Sequence, residues 1–254
     1  MKITANDKLK RSLIKKYWRE TRKVLIKVRQ PVMEMADNTG IESLKAMILH
    51  LLQVQPMTTH LVKLWEDVGG RYGSDTERKI RRGRIKSKLE EEELLEDWKR
   101  KMRIYSSERS LIKAGAILTT EQEAINKIID LVIKESLDEG LGIIESRRLL
   151  KKYLQGRELA QIENWQAQRI AMTEVGQAQN TASYQAALGH EGVKKTWMFI
   201  PGLKTFRQNH KEFEAMGPQD MSFEYVPGLK HPGDENGAAE EVINCYCSII
   251  YSID

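Results

Sequence analysis

Proline placement constrains this chain most. Pro201, Pro218, Pro227 and Pro232 crowd into 32 residues, whereas Pro31 and Pro56 are the only prolines in the first 200. Proline lacks the backbone donor of a helix interior and clashes with the preceding turn. A proline-poor stretch rich in Leu, Lys and Glu can therefore be helical almost throughout, and the segment after it must be rich in turns. The boundary is expected at Gly189–Gly192, where the helical pattern stops. The fold class that follows is α+β: a mainly α-helical N-terminal region, then a small C-terminal α+β module. As domains, these are residues 1–156 and residues 157–254, the second including the last long helix.

Periodicity places the helices. Asn6 can cap a first one, with Leu9, Leu13, Tyr17, Val24 and Val28 near one face until Pro31. A second is expected over 41–55, with Ile41, Leu44, Ile48, Leu51 and Leu52 as its stripe and Pro56 as its stop. A third covers 59–68 and ends at Gly69-Gly70, before a loop over 71–88. Residues 89–105 read as a charged helix with Leu94, Leu95, Trp98 and Met102 on its apolar side. Thr120 and Glu123 make a capping box ahead of Ile125, Ile128, Ile129, Val132 and Ile133. Helices over 143–154 and 157–188 follow. Strands are expected at 194–200, at 204–207 and through the β-branched and aromatic Cys-Tyr-Cys-Ser-Ile-Ile-Tyr-Ser-Ile segment near the end.

Composition and charge exclude several classes. No apolar run approaches the ~20 residues of a bilayer span, and the first residues lack a signal peptide's apolar core. Two cysteines make no disulfide framework, so the expected folding compartment is a reducing cytoplasm. Residues 1–110 hold 26 Lys+Arg against 16 Asp+Glu, and the remainder 15 against 20. The basic front is thus an electrostatic candidate for an anionic partner. Its densest tract is Arg78, Lys79, Arg81, Arg82, Arg84, Lys86 and Lys88, seven cations in eleven residues. Three readings stand for it: phosphate contacts on duplex DNA, docking on an acidic protein surface, or a solvated loop balanced by Glu90–Glu93.

Cys245-Tyr246-Cys247 is the most unusual local feature. In a strand, residues i and i+2 share a face, so both sulfurs could reach one metal ion. His210 and His231 are candidates to complete a Cys2His2 set for a structural Zn²⁺. The alternative is a pair of buried free thiols packing as small apolar groups. Arg207, His210 and either Glu240 or Glu241 could also do acid–base work on a phosphodiester. There is no Walker loop, GxSxG, HExxH or βαβ-type GxGxxG to support the common enzyme classes.

In the rear third, several elements occur in order. A helix carries Thr173, Glu174 and Asn180 and runs to Gly189. Lys195 and Trp197 lie in a strand, Arg207 and His210 follow, and Asp234 sits in a Pro-rich loop. Asn244, Cys245 and Cys247 close the series. Over residues 157–250 this order resembles the phage head morphogenesis family, the Mu F-like minor head proteins. Met172 stands where that family usually has arginine, and Tyr246 replaces its arginine between the cysteines. The acidic residue usual after the Trp strand is missing around Pro201–Thr205. These exchanges weaken an inherited catalytic role more than a packing role.

The resemblance implies a minor structural head protein of a tailed phage, not an enzyme. Such a protein associates with the portal protein and acts in procapsid assembly and DNA packaging or delivery. Its implied partners are the portal, the scaffold or major capsid protein and packaged double-stranded DNA, with no membrane. Its implied place is the virion, inside the capsid near the portal, and the host cytoplasm during assembly. The competing expectations are a nucleic-acid-processing enzyme using His210, Arg207 and Glu240 or Glu241, and a non-specific DNA-binding protein built on the basic tract.

Overall fold

The computed structural model describes the backbone over residues 5–36, 38–81, 87–200 and 207–253. The helices are α1 (Ala5–Ala36), α2 (Ile41–Leu51), α3 (Val54–Ile80), α4 (Lys88–Asp138), α5 (Ile143–Leu154) and α6 (Arg157–Leu188). Beyond them lie β1 (Val193–Met198), α7 (Gln208–Ala215), β2 (Gln219–Asp220), α8 (Ala239–Val242) and β3 (Ser248–Ile253). The chain is therefore mainly helical, with a small three-stranded antiparallel sheet near its end, ordered β2-β1-β3.

The helix boundaries correct several expectations. α1 passes through Pro31 and ends at Ala36. Val28, Val32 and Ala36 are all buried in one cluster with Leu44, Ile48, Ile125 and Ile129. Burying a Val or larger apolar side chain contributes about 1.5–3 kcal/mol, and two such residues with Ala36 offset the ~3 kcal/mol of an interior proline. α2 stops at Leu51, and Pro56 lies in the first turn of α3, where a missing N–H costs nothing. The cap placed at Asn6 lies outside the described side chains.

Gly69 and Gly70 do not end α3. A methyl on Gly69 would lie 2.6 Å from Met102 Cγ, one on Gly70 2.6 Å from Lys99 Cγ, and one on Gly73 2.4 Å from Trp98 Cε3. These glycines mark a close crossing of α3 and α4, not a stop. The helix then takes in Arg78 and Lys79, which were expected in a loop. α4 is one helix of 51 residues where two were expected. Thr120 is no cap, because its hydroxyl donates to the carbonyl of Ala116 inside the helix. The buried Ser106, Ser110, Ala114 and Leu118 carry an i,i+4 seam straight through the expected break.

In the sheet, β1 is central and pairs with both neighbours, with Lys195 opposite Tyr251 and Trp197 opposite Ile249. Val193, Lys195 and Trp197 point inward by the two-residue period. Gly192 (φ 75°) makes the turn from α6 into β1. Of the strand expected over 204–207, residues 204–206 lie outside the described residues, and Arg207 is the N-cap residue of α7. β3 starts at Ser248, so the two cysteines precede the strand instead of lying within it.

The compact units are not consecutive in the chain. One gathers residues 1–18, 62–106 and 169–254, and the other residues 19–61 and 107–168. In the first, Leu13, Tyr17, Leu64, Trp65, Val68, Ala171 and Val175 form one apolar cluster, and Trp197, Phe213, Tyr225, Leu229 and the cysteines form another. In the second, the core built around Leu44, Ile48, Ile125 and Ile129 is accompanied by a buried ion cluster. There Arg29 donates to Glu121 at 2.5 Å and to Glu163 at 3.4 Å. Burial raises both carboxyls, while Arg29 pulls them down.

Candidate metal centre

The module's chemistry collects around His210. This residue sits in the first turn of α7 and is 1% exposed. Its ring packs edge-on against Trp197 of β1, with centroids 5.0 Å apart, and tilts against Phe213 at 5.5 Å. Two aromatic neighbours and the helix backbone thus fix the imidazole. Asn209 adds to this, because its carboxamide oxygen accepts from the His210 N–H at 3.0 Å.

The two faces of the ring have different partners. Nδ1 lies 3.6 Å from Cys245 Sγ and 3.6 Å from Cys247 Sγ. Nε2 is 2.6 Å from Glu241 Oε2, whose other oxygen accepts from Asn209 Nδ2 at 2.9 Å. His210, Cys245 and Cys247 are all buried, their donor atoms lie within 4.8 Å of one another, and the group could hold a metal ion. Both cysteines are free. Hydrogen bonding from the Cys245 thiol, opposed by burial and aided by His210 and the Ile200 N–H, draws the Cys247 thiol down to about 4. Cys245 moves well up, first because its thiol hydrogen-bonds to Cys247 and then because it is buried. The pair therefore favours one buried thiolate, the form that ligates metal.

The donor set fits a soft or borderline divalent ion. Two thiolates and one imidazole are ligands of that class, and a carboxylate on the far ring nitrogen is the partner that orients a metal-binding histidine. Glu241 is thus placed as a positioning group.

His231 does not join this group, contrary to the Cys2His2 expectation. It is buried elsewhere in the module, with its ring 4.9 Å from that of Tyr184 and Nδ1 3.2 Å from its neighbour's carbonyl, at Pro232. Burial pushes its pKa down, which favours the neutral ring. The acid–base set is also differently arranged. Arg207 donates to the backbone carbonyls of Glu240 (2.7 Å) and Ile243 (2.6 Å), and so ties α7 to the segment leading into the cysteines.

Two further residues of the ordered series, Thr173 and Asn180, support the same segment, and the rest hold other parts of the module. Thr173 Oγ1 accepts from the Asn244 N–H at 3.1 Å, and Asn180 Nδ2 donates to the Cys247 carbonyl at 3.1 Å. Glu174 accepts from Trp65 Nε1 at 2.7 Å. Lys195 is fully buried and donates to the carbonyls of Met221 and Phe223 at 2.8 and 2.6 Å. Asp234 accepts from the N–H groups of Lys230 and Asn236, closing the Pro-rich loop, and Gly189 lies in the turn after α6.

One supporting residue escapes any local reading. Lys10, from α1, donates to the carbonyls of Tyr246 and Cys247 at 3.0 Å each. It is buried, and only its place on the inner face of a basic helix could have singled it out.

In the basic tract, Arg78 pairs with Asp75 and Glu91, Lys79 with Asp75, Arg81 with Glu77, and Lys88 with Glu92. Arg82, Arg84 and Lys86 lie outside the described residues. The described part is thus neutralised within the protein.

No family model, curated protein or solved structure matches this chain.

Proposed function

We propose that this chain is a minor structural head protein of a tailed phage, whose rear module is a non-catalytic fold tied by one Zn²⁺. The observation that carries this reading is the convergence of part of the ordered residue series on one centre. Thr173, Asn180, Trp197 and Arg207 each hold the walls or the backbone of the His210/Cys245/Cys247 pocket. Residues used in this way build a rigid unit. His210 has both nitrogens engaged and is buried, so it is poorly placed to exchange protons with a substrate. Zinc is the ion that a buried thiolate–imidazole set favours, and structural zinc contributes folding free energy outright.

The partners in this reading are the portal, the scaffold or major capsid protein and packaged duplex DNA. For DNA, the cations at hand lie on α1. Lys8, Arg11, Lys15, Arg19, Lys23 and Lys27 recur at three- and four-residue steps and are exposed. Among the described residues they form no ion pair, which leaves them free for phosphates. Affinity purification through the chain from phage-infected cells tests the assignment. The expected result is co-purification of a portal protein, presence of the chain in DNA-filled heads, and about one zinc per chain by elemental analysis. Absence from purified particles would refute the reading.

A further inference from the structure

The described residues supply three donors to the centre: His210 Nδ1 and the two sulfurs. Zinc in such a site takes four. Glu241 is committed to the far nitrogen of His210, and His231 lies in another part of the module. Residues 201–206, outside the described residues, read Pro-Gly-Leu-Lys-Thr-Phe and contain no Cys, His, Asp or Glu. Among the described residues no fourth protein donor joins the group.

Asn244 points to the fourth ligand. Its carboxamide oxygen is buried and has no hydrogen-bond partner, an arrangement native proteins rarely leave unexplained. Asn244 lines the same small cavity as His210, Cys245 and Cys247, together with Phe199 and Arg207. The cavity measures about 10 Å³, at the lower limit for one water. Asn244 is also fixed in place. It is in the left-handed region at φ 58°, and its N–H is held by Thr173.

We propose that the ion is held by three protein ligands and one exchangeable water, and that this water donates to Asn244 Oδ1. The inference rests on the metal reading above. A neutral carboxamide is a poor direct ligand for an ion already bound by two thiolates, whereas a coordinated water needs an acceptor. An orphan acceptor on a residue that lines the cavity is suited to that need. Three protein ligands and one water would leave the centre open at one position, unlike a closed four-ligand structural site, and a small anion could replace the water there.

Cobalt(II) substitution of the full chain tests this, because its visible bands report coordination. Wild-type protein is expected to bind about one Co²⁺ per chain with sulfur-to-metal absorption, and its d–d bands should shift when azide is added. Asn244→Gly, chosen because glycine accepts φ 58°, should keep the cobalt. It should bind azide about fivefold more tightly, since the displaced water has lost one hydrogen bond. Cobalt-loaded wild-type protein whose bands ignore saturating azide would overturn the open position while leaving the metal reading intact. Wild-type protein that ignores azide beside a responsive Asn244→Gly would make Asn244 the fourth ligand and equally overturn the proposal. Failure to bind cobalt would remove both readings. If Asn244→Gly does not fold, Asn244→Asp and the wild-type azide response still decide the matter.

Discussion

Lys195 shows how a single residue sets both structure and pH response. Its ammonium is buried between the rings of Tyr184 and Tyr225, at 5.3 and 5.6 Å, with two backbone carbonyls as acceptors. Burial, reinforced by Lys230, holds it down to about 8. The unfolded chain keeps its lysine protonated to about 10.4, so between these values the unfolded state binds more protons. Stability should therefore rise with pH from about 8 towards 10. Tyr225, pushed up to about 12 by burial, acts in the opposite direction once unfolded tyrosines ionise near 10. Urea midpoints measured from pH 7.5 to 9.5 should climb for the wild type relative to Lys195→Met. Parallel curves for the two proteins would show that the ammonium is not held in this way.

At the scale of elements, glycine placement decides how α3 and α4 meet. Gly→Ala inside a helix usually stabilises by about 1 kcal/mol through propensity. At Gly73 the added methyl would lie 2.4 Å from Trp98 Cε3, in the body of a ring that is itself buried and donates to Glu77 Oε2 at 2.6 Å. Such a ring cannot yield as a flexible side-chain end can, and overpacking costs typically 1–3 kcal/mol. Gly73→Ala is therefore expected to destabilise by up to about 2 kcal/mol net, read by chemical denaturation. Gly115→Ala is the control. It has open space around its Cβ position and should be neutral or stabilising. A stabilised Gly73→Ala would mean that the two helices do not cross as closely as described.

For the whole molecule, charge is the property that reaches a partner. The net charge of +5 conceals a front half that is far more basic than the rear. Internal carboxylates neutralise the described part of the densest tract; on α1 they take Lys16 and Arg22 but, among the described residues, not Lys8, Arg11, Lys15, Arg19, Lys23 or Lys27. If these six cations meet phosphates, log Kobs for duplex DNA should fall with log salt with a slope of about −5. Replacing Lys15, Arg19 and Lys23 by alanine should reduce that slope by about 3, whereas a sequence-selective regulator would show little change. A salt-insensitive complex, or a slope the triple substitution leaves untouched, would place the DNA contact elsewhere.

Local rules sufficed for much of this protein. The proline gradient, the bounds of α5 and α6, and the alternation of β1 are short-range consequences of backbone chemistry. They are legible in the sequence, as is the idea that Cys245 and Cys247 could share one metal ion with a histidine. Tertiary packing decided what local rules got wrong. Burial carried α1 past Pro31, and close helix packing turned Gly69-Gly70 from a terminator into a contact. A seam of small residues merged two expected helices into α4. The metal centre divides along the same line. Donor types can be read from residue identity, but which histidine reaches the sulfurs depends on the position of α7. That position is set by Trp197, Arg207 and Glu241, and the pocket's support comes from Lys10 more than 230 residues away. Sequence spacing carries no information about such contacts, because only the folded core brings their partners together.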